Sequence, residues 1–266
     1  MAFFHYNFLL ILVFCIFTAV SVDPLGNFCD DATKSNYSAK TSANVGKVLA
    51  ELVSVSAKDS FSTTYYGDAK NQVYGLYQCR GDISSNDCLS CIRDAAKEIR
   101  KRCPDQTDAR IWYDFCFLRY QAKNFFGQVE TIPGIFYWNV ESVSDPDFFN
   151  KKLAQLKNQL IAEAIVPKNG GLGKGKSKLS PFLTLYALMQ CTRDIREIDC
   201  AQCLAVAVGN FPTTCFNRKG CRILYSSCYV RYELYPFFFP FDPKEKLANV
   251  SMDKYAFKIS NDLIVN

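Results

Sequence analysis

The chain has 266 residues, a formal net charge of +5 and 49% hydrophobic residues, which is the composition of a folded protein with one or two domains. The mild positive charge does not by itself indicate nucleic-acid binding. The only histidine, His5, lies near the N-terminus. If this N-terminal segment is removed from the mature protein, no histidine remains, which excludes histidine-dependent nucleophiles and histidine-containing zinc sites.

Residues 1–21 have the pattern of a secretory signal peptide. The uninterrupted apolar run 8–17 has the length of a signal-peptide core and is short for a membrane span. Ala19 and Ser21 place small residues at positions −3 and −1 of a cleavage site. We therefore predict a secreted protein with no stable membrane insertion; an uncleaved N-terminal anchor is the alternative.

Secretion changes how the cysteines are interpreted. Of the 13 cysteines, Cys15 falls in the signal peptide and twelve remain, an even number in a compartment where disulfides persist. Structural disulfides are favoured over zinc or thioredoxin-like redox pairs. Two Asn-x-Ser sequons, at Asn36 and Asn249, become predicted N-glycosylation sites.

The chain contains an internal repeat with a constant offset of 112 residues. Residues 74–126 align without a gap on 186–238, and five cysteines match: Cys79/Cys191, Cys88/Cys200, Cys91/Cys203, Cys103/Cys215 and Cys116/Cys228. A period of this length is a domain rather than a solenoid unit. We predict domains at 26–128 (repeat 1) and 134–243 (repeat 2), a linker near 127–134, and a C-terminal tail at 244–266 that either covers a sheet edge or stays loose.

Hydrophobic periodicity predicts an α+β fold for each repeat. In repeat 1, helices are expected from a cap at Thr41 or Ser42 and over 91–102. In repeat 2, a helix should start at Pro146, and the second helix should be interrupted by Gly209 and Pro212. Strands are expected over 110–120 and 222–235, while 73–79 and 183–191 fit either a strand or a helix. The glycine- and lysine-rich segment 167–178 is expected to be a solvated basic loop.

Three sequence features resemble the plant cysteine-rich repeat secretory proteins. They are the cysteine pattern C-x8-C-x2-C, the segments Tyr-Gly-Leu-Tyr-Gln-Cys and Tyr-Ala-Leu-Met-Gln-Cys that lead into it, and the ending Arg-Tyr-Glu-Leu-Tyr-Pro-Phe-Phe. These proteins consist of tandem ginkbilobin-type (salt stress response/antifungal) domains. The resemblance covers about residues 29–240 and implies two disulfide-stapled domains, each an antiparallel sheet packed against about two helices.

The resemblance also implies a disulfide pairing. It would join Cys29–Cys103, Cys79–Cys88 and Cys91–Cys116 in repeat 1, and Cys191–Cys200, Cys203–Cys228 and Cys215–Cys221 in repeat 2. Repeat 2 has no counterpart of Cys29 and carries Cys221 opposite Ala109 instead. This departs from the adjacent cysteine pair that is usual in the family's second repeat.

One binding site is implied by the resemblance, because ginkbilobin binds mannose through an Asn, an Arg and a Glu. The matching positions are Asp30, Arg110 and Gln121 in repeat 1, and Arg222 and Glu233 in repeat 2. Such a trio offers sugar hydroxyls both donors and acceptors. Neither repeat carries the full trio, and repeat 2 keeps more of it. An Arg–Glu pair across adjacent strands is the structural alternative.

We therefore expect a secreted, non-enzymatic binding protein of the plant apoplast, with an extracellular glycan or protein partner and a role in stress or antifungal defence. A protein-interaction partner or co-receptor of membrane-bound relatives is one alternative. A carboxylate-based glycosidase is another, although no motif for it is present. No cofactor, metal ion or nucleic acid is expected.

Overall fold

A computed structural model describes residues 23–68, 70–240 and 254–260; the predicted signal peptide and Asn249 lie outside the described residues. Repeat 1 contains β1 Gly26–Cys29, α1 Ala39–Val55, β2 Phe61–Tyr66, β3 Val73–Cys79, α2 Ser85–Arg102, β4 Asp108–Trp112 and β5 Cys116–Gln121. Repeat 2 contains β6 Gly134–Asn139, α3 Pro146–Ala164, β7 Leu172–Ser180, β8 Leu183–Cys191, α4 Glu197–Gly209, α5 Phe211–Thr214, β9 Cys221–Leu224 and β10 Cys228–Glu233. Strand β11, Tyr255–Ser260, follows in the tail.

Each repeat forms one antiparallel sheet. The strand order is β1-β4-β5-β3-β2 in repeat 1 and β11-β6-β9-β10-β8-β7 in repeat 2. Helices α1 and α2 cover one face of the first sheet, and α3 and α4 cover one face of the second, each with its own apolar core. The prediction of an α+β fold with two disulfide-stapled units is therefore confirmed.

The two sheets pack against each other through the faces that their helices leave uncovered. Strand residues alternate between the two faces of a sheet, so that Tyr77 and Leu118 belong to the core under the helices while Leu76 and Phe117 belong to a separate cluster. That cluster also contains Ile135 and Tyr137 of repeat 2. The order of layers is helices, sheet, sheet, helices.

The helix boundaries follow from capping. The Ser38 side chain accepts a hydrogen bond from the Thr41 backbone N–H and starts α1, so the cap lies three residues before the predicted Thr41. Pro146 occupies the first turn of α3, where a missing N–H costs nothing. The second helix of repeat 2 is interrupted at Asn210, directly after the predicted Gly209, whereas Pro212 lies in the first turn of α5.

Each of the two segments predicted as strands is a hairpin of two strands. The segment 110–120 turns at Asp114 between β4 and β5, and 222–235 turns at Ser226 between β9 and β10. The two ambiguous segments, 73–79 and 183–191, are strands β3 and β8.

The prediction of a basic loop over 167–178 is wrong, because most of this segment is strand β7. Its backbone pairs along β8, and its glycines allow helix α3 to lie directly on the strand. A Cβ at Gly173 would lie 2.2 Å from the Leu160 carbonyl oxygen of α3. The glycines therefore permit a close approach here instead of marking a flexible segment.

Substituting Gly173 should accordingly be costly. We expect Gly173→Ala to lower the free energy of unfolding by about 1–3 kcal/mol, because the methyl group collides with helix backbone that cannot move aside. Gly46→Ala is the control, since Gly46 is exposed on α1 with nothing within 4 Å of an added Cβ. It should raise the free energy by about 0.5–1 kcal/mol. Chemical denaturation of both variants measures the difference, and a shift of the same sign in both would contradict this account of β7.

Each repeat contains three disulfides, which join its sheet to its helices or loops. In repeat 1 they join Cys29–Cys103, Cys79–Cys88 and Cys91–Cys116. In repeat 2 they join Cys191–Cys200, Cys203–Cys228 and Cys215–Cys221. The pairs formed by Cys103 and Cys215 differ most, with sequence separations of 74 and 6 residues.

The described part of the tail covers a sheet edge. Strand β11 pairs antiparallel with β6, from Tyr255 opposite Asn139 to Ser260 opposite Gly134. Strand β1, which is the counterpart of β6 in repeat 1, is the outermost strand of its sheet. Across residues 23–68, 70–240 and 254–260, no helix has both the length and the apolar character needed to cross a membrane.

Candidate functional site

The interface between the repeats has an approximate two-fold symmetry, visible in its hydrogen bonds. The Gln190 side chain accepts from the Gly81 backbone N–H at 3.0 Å, and the Gln78 side chain accepts from the Arg193 backbone N–H at 3.2 Å. The two donor residues are 112 residues apart in the sequence, and so are the two acceptor residues. Each repeat therefore uses the same positions to hold the other, as in an isologous dimer.

A second reciprocal pair involves the segments that follow each hairpin. The Asp82 carboxylate accepts from the Phe239 backbone N–H at 2.6 Å, and the Asp194 carboxylate accepts from the Gly127 backbone N–H at 3.0 Å. These four residues also match at the repeat offset. The segments after β5 and β10 are thus each tied to the opposite repeat.

The predicted sugar-binding pair of repeat 2 lies inside this interface. Glu233 has no exposed surface, and its Oε1 lies 3.0 Å from Arg231 Nε and 3.4 Å from Arg222 Nε. The other partner is Asp114, from the β4–β5 turn of repeat 1, whose Oδ1 lies 2.8 Å from Arg222 Nη1 and 3.3 Å from Arg231 Nη1. Two guanidinium groups therefore share two carboxylates, one from each repeat.

The electrostatics of this cluster favour its charged form. Burial alone would raise the pKa of Asp114, but Arg222, Arg231 and Arg80 outweigh burial and hold that pKa below its ordinary value. Burial disfavours the charged form of Arg231, yet Glu233 and the neighbouring groups raise its pKa well above the ordinary value. The cluster is a compensated ion-pair network.

Arg110 occupies the equivalent place in repeat 1. It lies 3.1 Å from Asp108 and 2.6 Å from Glu130 of the linker, and it donates to Ser226 Oγ of repeat 2 at 2.8 Å. Ser226 matches Asp114 at the repeat offset, so the interaction is again reciprocal. Arg119 lies opposite Arg110 on β5 and pairs with the other Glu130 oxygen at 2.6 Å.

The structure thus places the predicted sugar-binding residues in two different environments. Arg110, Arg222 and Glu233 are buried between the repeats, where their polar groups are already paired. Gln121 and Asp30 remain partly exposed in repeat 1. The preference for repeat 2 as the site is corrected, because a sugar cannot reach Glu233 while the repeats are packed together.

The partly exposed residues belong to one row that crosses the sheet of repeat 1. Tyr65 lies opposite Tyr74, Tyr74 opposite Gln121, and Gln121 opposite Asp108. The Asp30 backbone N–H donates to the Asp108 carbonyl at 3.0 Å, which places Asp30 at the end of the same row. We call Tyr65, Tyr74, Gln121, Asp108 and Asp30 the tyrosine row.

Its two tyrosine rings form an aromatic surface. The ring centroids of Tyr65 and Tyr74 are 5.8 Å apart, and Phe126 meets Tyr74 edge-on at 5.5 Å. Tyr65 is 59% exposed. Aromatic faces contact the C–H groups of sugars, while an amide such as that of Gln121 can bind their hydroxyls.

The equivalent row in repeat 2 is closed. Tyr186, the counterpart of Tyr74, is buried, and Phe238 packs on it at 6.0 Å. Lys176 stands opposite Tyr186 where Tyr65 stands opposite Tyr74. The open aromatic surface is therefore a feature of repeat 1.

Several interface residues were not singled out from the sequence. The identities Arg119/Arg231 and Gln78/Gln190 were visible in the repeat alignment, but an alignment does not show which face of a strand meets another sheet. Glu130 and Asp114 carry no motif. Within the described residues, no group of three or more His, Cys, Asp or Glu side chains could hold a metal ion.

Of the two predicted glycosylation sites, Asn36 is the last residue of a 3-10 helix, Asp31–Asn36. Asn249 lies outside the described residues.

Comparisons with known proteins agree with this architecture. The family model described as salt stress response/antifungal matches residues 28–123 and 139–235. Cysteine-rich repeat secretory protein 55 of Arabidopsis thaliana is 52% identical over 240 residues, covering 89% of this chain and 90% of that protein. An antimicrobial ginkbilobin-2-like protein of Castanea crenata is 37% identical over 216 residues, covering 81% and 89%.

A solved structure shares the fold. The tandem DUF26 ectodomain of the Arabidopsis thaliana cysteine-rich receptor-like protein PDLP8 superposes with a TM-score of 0.68 at 29% identity, covering 79% of this chain and 97% of that one. Relatives that match over most of their own length, among them cysteine-rich repeat secretory protein 55, are named as secretory proteins, and the protein is extracellular. Two family matches, matched cysteines and the shared tandem fold lead to one conclusion: the chain belongs to the salt stress response/antifungal family of cysteine-rich repeat secretory proteins.

Proposed function

We propose that the protein is a non-enzymatic binding protein of the plant apoplast that recognises carbohydrate through the tyrosine row of repeat 1, in a stress or antifungal defence role. The observation that carries the proposal is the exposed Tyr65 ring beside Tyr74, in one row with Gln121. Carbohydrate sites combine an aromatic platform with fixed polar groups in this way.

The ion pairing of the interface carboxylates supports a non-enzymatic role. A glycosidase needs two carboxylates that face a substrate cleft, one of them able to hold a proton near neutral pH. Glu233 and Asp114 are instead held by Arg222 and Arg231. Asp108 is buried and paired with Arg110.

A glycan array probed with the mature protein tests the proposal. We expect signals on plant or fungal wall oligosaccharides, and Tyr65→Ala should weaken the apparent affinity for the best glycan about tenfold, since it removes the exposed stacking face. The matched control is Lys176→Ala, which truncates the exposed side chain at the equivalent place in repeat 2.

The control should bind glycans as the unchanged protein does. Absence of any glycan signal at the highest protein concentration would overturn the carbohydrate proposal, as would an equal loss in both variants.

A protein partner is the second candidate, and the open edge of the first sheet favours it. Strand β2, Phe61–Tyr66, is an outer strand of its sheet and carries no lysine, whereas its counterpart in the second sheet, the outer strand β7, exposes Lys176 and Lys178. Lysines on an edge discourage strand addition. An ectodomain of a membrane-bound relative that supplied one strand would therefore pair along β2.

A further inference from the structure

One end of repeat 2 exposes apolar side chains from three separate turns. Phe182, at the tip of the β7–β8 hairpin, is 98% exposed, and its neighbour Leu183 is partly exposed. Phe148, in the first turn of α3, and Phe216, in the loop after α5, are also exposed. Bare phenyl rings in water are unfavourable, so a surface that presents several together commonly has a partner.

These turns lie close together around a cleft of about 590 Å³. Phe148 and Leu183 both line it, together with Leu179 of β7 and Lys219. The loop that holds Phe216 reaches the same place, because the neighbouring Asn217 accepts from Asn150 of α3 at 2.9 Å. We call Phe148, Phe182, Leu183 and Phe216 the apolar tip of repeat 2.

Basic side chains surround the apolar tip. Lys152 lies 5.7 Å from the centre of the Phe148 ring. Lys178 is exposed on β7 just before the hairpin, and Lys151 is exposed on α3. Lys219 and Arg218 lie between the cleft and the Phe216 loop, with Lys219 paired to Glu141 at 2.6 Å.

The carboxylates at this end only partly offset these charges. Glu141 is held by Lys219, and Asp145 accepts from the Phe148 backbone N–H as the cap of α3. Asp147 is exposed in the first turn of α3. Five basic groups against three acidic ones leave the end positive, in keeping with the chain's net charge of +5.

We propose that the apolar tip of repeat 2 docks the protein on an anionic lipid membrane surface. Phenylalanine and leucine side chains insert at the boundary between headgroups and acyl chains, and lysines placed behind them reach the anionic headgroups. The cleft between Phe148 and Leu183 gives an acyl chain apolar walls to contact. The contact is peripheral and reversible, and it uses a different repeat from the proposed carbohydrate site.

Charge and shape favour a membrane over a folded protein partner as the occupant. Phe182 stands at the tip of a hairpin and is almost fully exposed, as insertion into a fluid surface requires. A protein–protein interface presents instead a broad area with a desolvated centre. The surrounding lysines complement a surface whose negative charge is continuous.

Cosedimentation of the mature protein with vesicles tests the proposal. We expect binding to vesicles of equal parts phosphatidylcholine and phosphatidylglycerol, and much weaker binding to pure phosphatidylcholine. Phe182→Ala should lower the apparent affinity for the mixed vesicles about tenfold, because it removes one inserted ring. Lys178→Ala should lower it about fivefold, and the loss should shrink as salt is raised.

Ile198→Ala is the matched control. Ile198 is 68% exposed on α4 and does not line the cleft, so its removal should leave vesicle binding unchanged. Because Phe182 and Ile198 are both exposed, neither substitution should disturb folding. Failure to sediment with the mixed vesicles, unchanged binding by Phe182→Ala, or an equal loss by Ile198→Ala would each overturn the proposal.

Discussion

Glu233→Ala is expected to lower the free energy of unfolding by about 3–5 kcal/mol, the usual cost of leaving a buried charge without its partner. Glu233 is fully buried and contacts both Arg222 and Arg231 through Oε1. Its removal leaves two buried guanidinium groups with Asp114 as their remaining carboxylate in this cluster. Denaturant unfolding followed by tryptophan fluorescence measures the loss, since Trp112 is buried in the interface, with its indole N–H on the Tyr225 carbonyl.

The repeat supplies a matched control for this experiment. Gln121 occupies the position of Glu233 in repeat 1, accepts from Arg119 at 2.9 Å, and is partly exposed. Gln121→Ala should cost about 1.5 kcal/mol, the lower end of the range for a hydrogen bond to a charged group, because Gln121 is partly exposed and Arg119 keeps its ion pair with Glu130. Similar losses in the two variants would contradict the assignment of Glu233 to a buried ion-pair network that holds the repeats together.

This cluster shows what the sequence can and cannot predict. The offset of 112 residues predicts that Arg222 and Arg110 occupy equivalent strand positions, and resemblance to a lectin makes a sugar site the natural hypothesis. Alternation along a strand tells which side chains share a face, but not whether another sheet or solvent covers that face. Only the packing of one repeat on the other reveals that Asp114 and Ser226 reach across to these arginines.

The errors in the predicted elements have equally local causes. The β4–β5 turn is built from Tyr113, Asp114 and Phe115, so one aspartate between two aromatic residues is its only turn-favouring residue. The glycines of β7 suggest a loop until the proximity of Leu160 is known. For β7 the sequence pattern describes a local preference, and a contact distant in sequence decides the structure.

Removal of the Cys29–Cys103 disulfide should have the second large effect on stability. In the loop-entropy model, the stabilisation by a disulfide grows with the logarithm of the length of the loop that it closes in the unfolded chain. The separation of 74 residues corresponds to about 4 kcal/mol in the loop-entropy model. The separation of 6 residues between Cys215 and Cys221 corresponds to about 2 kcal/mol. The double variant Cys29→Ala/Cys103→Ala should therefore unfold at a clearly lower denaturant concentration than Cys215→Ala/Cys221→Ala.

The comparison isolates loop length because Cys103 and Cys215 are equivalent residues of the two repeats, and both are buried. Truncating each to alanine leaves a similar small cavity. Of their partners, Cys221 is fully buried and Cys29 is partly exposed, so the remaining cavity cost falls on Cys215→Ala/Cys221→Ala and works against the expected order. What differs is the partner: Cys29 comes from the N-terminal strand β1, whereas Cys221 begins β9, a few residues after Cys215. If the two double variants lose equal stability, the loop-entropy explanation fails, and the strength of these bridges must come from the folded state instead.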